Sequence, residues 1–192
     1  MSAVAVLLLP GCQDSGPGHW QSQWESGHGC PRAGQHGWMR PLRGDWIGPL
    51  DEEVALQHAA AAAPPVVLAA HSLGCRLVAS WVAHSCHTAC VQGVRLVLPG
   101  ESHDEAAQSG LHSWRPLALQ PLPFPRTLLA GRVDPNCSFA EATEFALAWD
   151  IERVDDGHAG CINADSGLGA WPAGWRQLQA LCGRQHEQEH PW

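Results

Sequence analysis

The chain has 192 residues, a formal net charge of −8, 45% apolar residues and 16% charged residues. That is enough apolar material for one sizeable core, and it is neither a disordered nor a coiled-coil composition. All 11 basic residues are arginine and they are scattered, which excludes the clustered basic face of a nucleic-acid binder. No apolar run approaches the roughly 20 residues of a membrane-spanning helix, so no membrane partner is expected.

Residues 4–9 form a continuous apolar run ended by Pro10-Gly11. The run lacks the basic flank of a signal peptide and reads as a strand covered on both faces. Without a leader, the eight cysteines, none of them in a Cys-x-x-Cys pair, are expected as reduced thiols in a cytoplasmic compartment. A polar, Gly-rich loop follows at 11–18. Trp20 and Trp24 then stand four apart, on one face of a helix.

Residues 27–37 read as loop. Residues 51–63 read as a helix stopped by Pro64-Pro65. Residues 66–70 are a second strand. A helix over 73–83 turns Leu73, Leu77, Val78, Trp81 and Val82 inward. Residues 94–98 are a third strand, and 101–125 an irregular surface excursion. A fourth strand covers 126–131. A helix over 139–148 has Ser138 as N-cap and Glu141 at capping-box spacing. A last strand at 151–154 precedes a helix at 171–181 with Pro172 in its first turn. Alternating strands and helices predict an α/β fold, a three-layer α/β/α sandwich with a mostly parallel sheet. It spans one domain, 1–182, followed by a polar tail, 183–192.

The most informative segment is Val-Val-Leu-Ala-Ala-His-Ser-Leu-Gly at 66–74. A strand runs into a small-x-Ser-x-small turn and then a helix, the context of a nucleophile elbow. Ala70 stands where the strict pattern has glycine, and a helix-capping serine is the alternative reading. A serine nucleophile needs a base, and the base an orienting acid, in the chain order Ser, acid, His. Asp134 follows a late strand, where the acid belongs; a turn residue before Pro135 is its alternative role. The loop after the last strand carries His158.

At these residues the chain resembles the small serine hydrolases related to retinoblastoma-binding protein 9, in the α/β-hydrolase superfamily. The resemblance runs from about residue 4 to 182. It rests on Pro10-Gly11, Ser15-Gly16-Pro17-Gly18-His19-Trp20-Gln21-Ser22, Asp45-Trp46 and His71-Ser72-Leu73-Gly74-Cys75. Further matches are Asp134-Pro135-Asn136-Cys137-Ser138-Phe139, the run from Ile162 to Gly169, and Trp171-Pro172-Ala173-Gly174. It implies an α/β-hydrolase-like fold, Ser72 as nucleophile, Asp134 as acid, and an oxyanion hole from the N–H groups of Leu73 and Cys12. It implies a small ester or acyl substrate and no cofactor.

One position departs from the family. The family places its catalytic His immediately before Ile-Asn, and here that residue is Cys161. Three readings follow. His158 is a relocated base, three residues away and within about 10 Å of extended chain, although a base must come within about 3 Å of the serine oxygen. Cys161 acts itself, against a thiol pKa of about 8.5 and with no imidazole to bridge acid and serine. Or the fold persists with an impaired triad and works as a binding protein. Oligomeric state is not legible.

Other constellations are weaker. Cys86 and Cys90, with His87 between, would share a helical face and a metal, but no further ligand is evident. No metal is expected. His19-Trp20 is a candidate for the pocket wall or the core. His71, beside Ser72, reads as structural or pocket-lining. His186 and His190 sit in the tail and need no role.

Overall fold

The computed structural model describes residues 5–12, 14–60, 66–97, 111–130, 137–155 and 162–183. Val4, Leu98, the segment 101–110, Asp134, His158, Cys161 and the tail from 184 onward lie outside the described residues.

Among the described residues, five strands form one sheet in the order β1 Ala5–Leu9, β2 Val66–His71, β3 Val91–Val97, β4 Arg126–Ala130 and β5 Arg153–Asp155. Every neighbouring pair is parallel. Among the described residues the α-helices are α1 Trp20–His28, α2 Arg43–Ala60, α3 Leu73–Val82, α4 Phe139–Ala148 and α5 Pro172–Gly183. The expected α/β/α layering is therefore present. β2 alternates across it: Val67 and Ala69 join the core with Trp20 and Trp24 of α1 and Leu178 and Leu181 of α5. Val66, Leu68 and Ala70 join Trp46 of α2, Trp81 of α3 and Phe145 of α4.

The free edge of β1 carries one further parallel bridge, Leu8 to Arg32, with Leu8 N–H donating to Pro31 O and Ala33 N–H to Leu8 O, both at 2.9 Å. The chain thus leaves β1 to one side through α1, then recrosses through α2 to pair β2 on the other side. The loops leaving β1 and β2 diverge at this reversal, and in open parallel sheets that divergence opens a crevice at the strand ends.

Several elements differ from expectation for physical reasons. α2 starts at Arg43 rather than 51 and holds Pro49 inside it. Trp46, Leu50 and Val54, each fully buried and four apart, form the stripe that seats this helix and place its start earlier. Residues 111–125 are not a surface excursion. Leu111, Trp114, Leu122 and Phe124 are buried, and Trp114 Nε1 donates to Pro41 O at 2.9 Å. Gln120 Nε2 donates to Ala79 O at 2.6 Å, so irregular backbone is tied to the core through side chains. β3 begins three residues early, and β5 covers 153–155 because Asp150, at φ 54°, closes the turn from α4 through Ile151. The Ser138–Glu141 capping box forms at α4. Among the described residues, no helix is long and apolar enough to cross a membrane.

Tryptophans hold α1 and α5 together. Trp24 meets Trp20 at 4.5 Å, Trp171 at 6.0 Å and Trp175 at 5.0 Å between ring centroids. Its Nε1 donates to Ala170 O at 2.7 Å. Trp24 is fully buried. Trp24→Ala is expected to lower unfolding stability by about 3–5 kcal/mol in urea titration, the cost of an aromatic-sized cavity.

Candidate functional site

Ser72 stands between β2 and α3 with φ 51° and ψ −119°. A non-glycine residue adopts this region only when its surroundings enforce it. Two contacts do so here. Ser72 N–H donates to Val97 O at 3.0 Å, and Cys75 N–H donates to Ser72 O at 2.9 Å. The helix then leaves at once, and the side chain of Ser72 makes no capping bond. The structure thus does not give Ser72 the helix-capping role that was its alternative reading.

Two glycines make room. A methyl on Gly74 would lie 2.3 Å from Leu9 O, so only glycine lets α3 begin against the end of β1. A methyl on Gly11 would lie 2.8 Å from Ser72 Cβ and 3.2 Å from its Oγ, so the loop after β1 passes directly over the serine.

Between that loop and Ser72 lies a cavity of about 350 Å³. Cys12, Ser15, His19, His71 and Asn163 help line it. Leu73, buried, opens α3 beside Ser72, and His19 is the N-cap of α1. Two helices therefore start near one cavity, and the positive end of a helix dipole favours developing negative charge. Trp20 Nε1 donates to Ile162 O at 3.0 Å, which seats residues 162–164 against α1. Asp134, His158 and Cys161 lie outside the described residues.

The loop at 14–18 is clamped. Arg32 ion-pairs with Asp14 and Glu25 and donates to Ser22 Oγ at 2.7 Å and Ser15 O at 3.1 Å. Ser15 Oγ donates to Gln21 Oε1 at 2.7 Å, and Gln21 Nε2 donates to Ala69 O at 3.0 Å. Neither the Arg32 nor the Gln21 role is legible in the sequence. Arg32 lies in a stretch without periodicity, and only its bridge to β1 brings it to this loop.

Two of the pocket-wall candidates separate: His19 lines the cavity, whereas Trp20 packs in the core. His71 lines the cavity too, its ring 4.7 Å from that of His19. Burial, His71 and Arg32 together lower the pKa of His19 to about 3. Gln21 N–H donates to its Nδ1 at 3.2 Å, so the neutral ring carries its proton on Nε2. His19 is thereby excluded as the base: its basic nitrogen is occupied and faces the backbone.

Cys86 and Cys90 do not share a helical face. α3 ends at Val82, Cys90 lies in a 3-10 turn, and His87 Nδ1 pairs with Asp51 Oδ2 at 3.0 Å. Among the described residues, no group of three or more His, Cys, Asp or Glu could hold a metal.

A family model described as serine hydrolase matches residues 6–180. No functionally curated protein matches the chain. Among solved structures, a YdeN-like hydrolase from Pectobacterium atrosepticum is 31% identical, with 93% of this chain and 90% of that one covered and a TM-score of 0.78. The YdeN product of Bacillus subtilis, at 18% identity, covers 93% and 98% with a TM-score of 0.68. Thermogutta terrifontis esterase 2, at 19% identity, covers 92% and 80% with a TM-score of 0.63. The last two share the fold.

The lowered pKa of His19 makes a signed prediction. Below pH 6.5 the unfolded imidazole binds a proton, whereas the folded one does not until about pH 3. Acidification through this window favours the unfolded chain, by up to roughly 1 kcal/mol per pH unit. Stability of the wild type should therefore fall more steeply than that of His19→Phe between pH 6 and 4, in urea titrations at each pH.

Proposed function

The chain belongs to the serine hydrolase family, and from that premise we propose that it cleaves small ester or acyl substrates with Ser72 as nucleophile. The observation that supports this most strongly is the strained turn at Ser72, at φ 51° between β2 and α3 and against a cavity. This turn supports reading the segment as a nucleophile elbow, which lifts a serine oxygen clear of its own strand. Within the family, the chain is best read as a relative of retinoblastoma-binding protein 9, on the motifs given above.

In this reading Ser72 Oγ attacks the acyl carbon while its proton passes to a base. The N–H groups of Leu73 and Cys12 donate to the oxyanion, and the ester C–O bond breaks as the alcohol takes up the proton. Water then attacks the acyl-serine and releases the acid. Asp134 orients the base. The slot where the family carries that base holds Cys161, one peptide bond from the anchored Ile162, and His158 is the nearest imidazole in the chain. A thiol in this slot leaves the oxyanion donors and substrate binding to supply most of the rate, a residual enhancement of about 10³ over water.

Cys161 also favours a second reading, a catalytically impaired hydrolase fold that binds a small ligand or a protein. Hydrolysis of 4-nitrophenyl acetate separates the two. The hydrolase reading expects turnover that Ser72→Ala abolishes, and a gain of about 10²-fold or more in Cys161→His as the base is restored. If His158→Ala abolishes wild-type turnover, His158 is the base. Wild-type turnover that survives Ser72→Ala, with no gain in Cys161→His, overturns the hydrolase reading in favour of binding.

A further inference from the structure

One buried side chain joins the loop over the cavity to the strand that leads to Ser72. Gln21, in the first turn of α1, is 0% exposed. Its Oε1 accepts from Ser15 Oγ at 2.7 Å, and its Nε2–H donates to Ala69 O at 3.0 Å. Ala69 lies on β2, three residues before Ser72. Ser15 lines the cavity together with Gly11, Cys12 and Ser72. A carbonyl only accepts, so the amide must turn its nitrogen to Ala69 and its oxygen to Ser15. The bridge therefore has a single arrangement.

Two ties hold Ser15 and its neighbours, and they differ in stiffness. Arg32 acts from the outside, paired with Asp14 and Glu25, whose side chains are 42% and 46% exposed. Ion pairs this exposed contribute little and weaken in salt. The Gln21 bonds are buried, where no water competes for them. A methionine has nearly the same length and would bury as well, so burial alone does not call for an amide at this position. What the amide adds is a fixed separation between loop and strand.

We propose that Gln21 is a positioning residue: by tying Ser15 to Ala69, it sets the separation between the loop that carries the Cys12 N–H and the strand that carries the nucleophile. The inference rests on the reading of Ser72 as nucleophile and of Cys12 N–H as an oxyanion donor. It adds to them a residue that acts only through its two partners. An oxyanion donor works within a narrow distance of the developing charge. Cutting the bridge displaces that donor without deleting it. The rate should then fall about tenfold, less than the roughly 10²–10³-fold cost of removing a donor outright.

Phosphonylation by a fluorophosphonate tests this without requiring turnover. Ser72 Oγ bonds to phosphorus, the P–F bond breaks and fluoride leaves, while the phosphonyl oxygen takes the oxyanion position. The rate is read by intact-protein mass spectrometry and divided by the folded fraction from circular dichroism, which removes any effect of stability. Gln21→Met should react about tenfold more slowly than wild type. Gln21→Asn, one methylene too short to span both partners, should be slowed likewise and serves if the methionine variant does not fold. Gln21→Glu at about pH 6, kept as the neutral acid by burial, repeats both bonds and should stay within about twofold of wild type. Met and Asn variants that react at the wild-type rate per folded molecule would overturn the proposal, as would a Glu variant as slow as they are. A wild type unlabelled at Ser72 would overturn the nucleophile reading and this proposal with it. A labelled wild type with unaffected variants would refute the positioning role alone.

Discussion

The cavity depends on one close approach, between the first turn of α3 and the last carbonyls of β1. A methyl at Gly74 would lie 2.3 Å from Leu9 O and 3.0 Å from Pro10 O. With glycine there, the helix following β2 starts flush against the neighbouring strand, and the chain must turn sharply at Ser72. The positive φ of Ser72 is the local cost of that packing, of order 1–3 kcal/mol, and the surrounding sheet sustains it. Gly11 applies the same constraint from above, holding the loop after β1 within van der Waals distance of the serine. The sheet reversal at β1 supplies the crevice, and these two glycines set its width.

The rest of the molecule keeps that geometry rigid. α1 is fixed to α5 by tryptophans, to the β2 carbonyl of Ala69 by Gln21, and to residue 162 by Trp20. Trp171, itself at φ 43°, lays its ring over Gly174 of α5, where a methyl would lie 2.3 Å from the ring. Arg95 of β3 stands over the other side of this cluster, 5.5 Å from the Trp171 ring. Arg32 clamps the loop at 14–18 from the sheet edge. A cavity wall built this way holds its polar groups in fixed directions, which is what binding energy and catalysis draw on.

The layering was legible in the sequence because buried parallel strands are short apolar runs, and each ends at Pro, Gly or a polar turn. Ser72 was legible because its turn is local: strand, small residues and helix all lie within nine positions. α2 was harder, since the stripe that starts it early shows only as Trp46, Leu50 and Val54. The burial of 111–125 was not legible, because its anchors are long-range bonds such as Trp114 to Pro41 and carry no periodicity. His19 could be named as a wall candidate, but its tautomer follows from a cap bond, which spacing does not encode. At Cys161 the resemblance implies a substitution in the family's base slot, and what a thiol would do there is a question of chemistry rather than pattern.

The central claim is that the strained turn presents Ser72 as a nucleophile. Reaction with a fluorophosphonate, followed by mass spectrometry of the digested protein, tests it most directly. The account predicts one phosphonylated peptide, that containing Ser72, with labelling abolished by unfolding the protein first. An unmodified wild-type chain, or a label on another residue with Ser72 untouched, would contradict it.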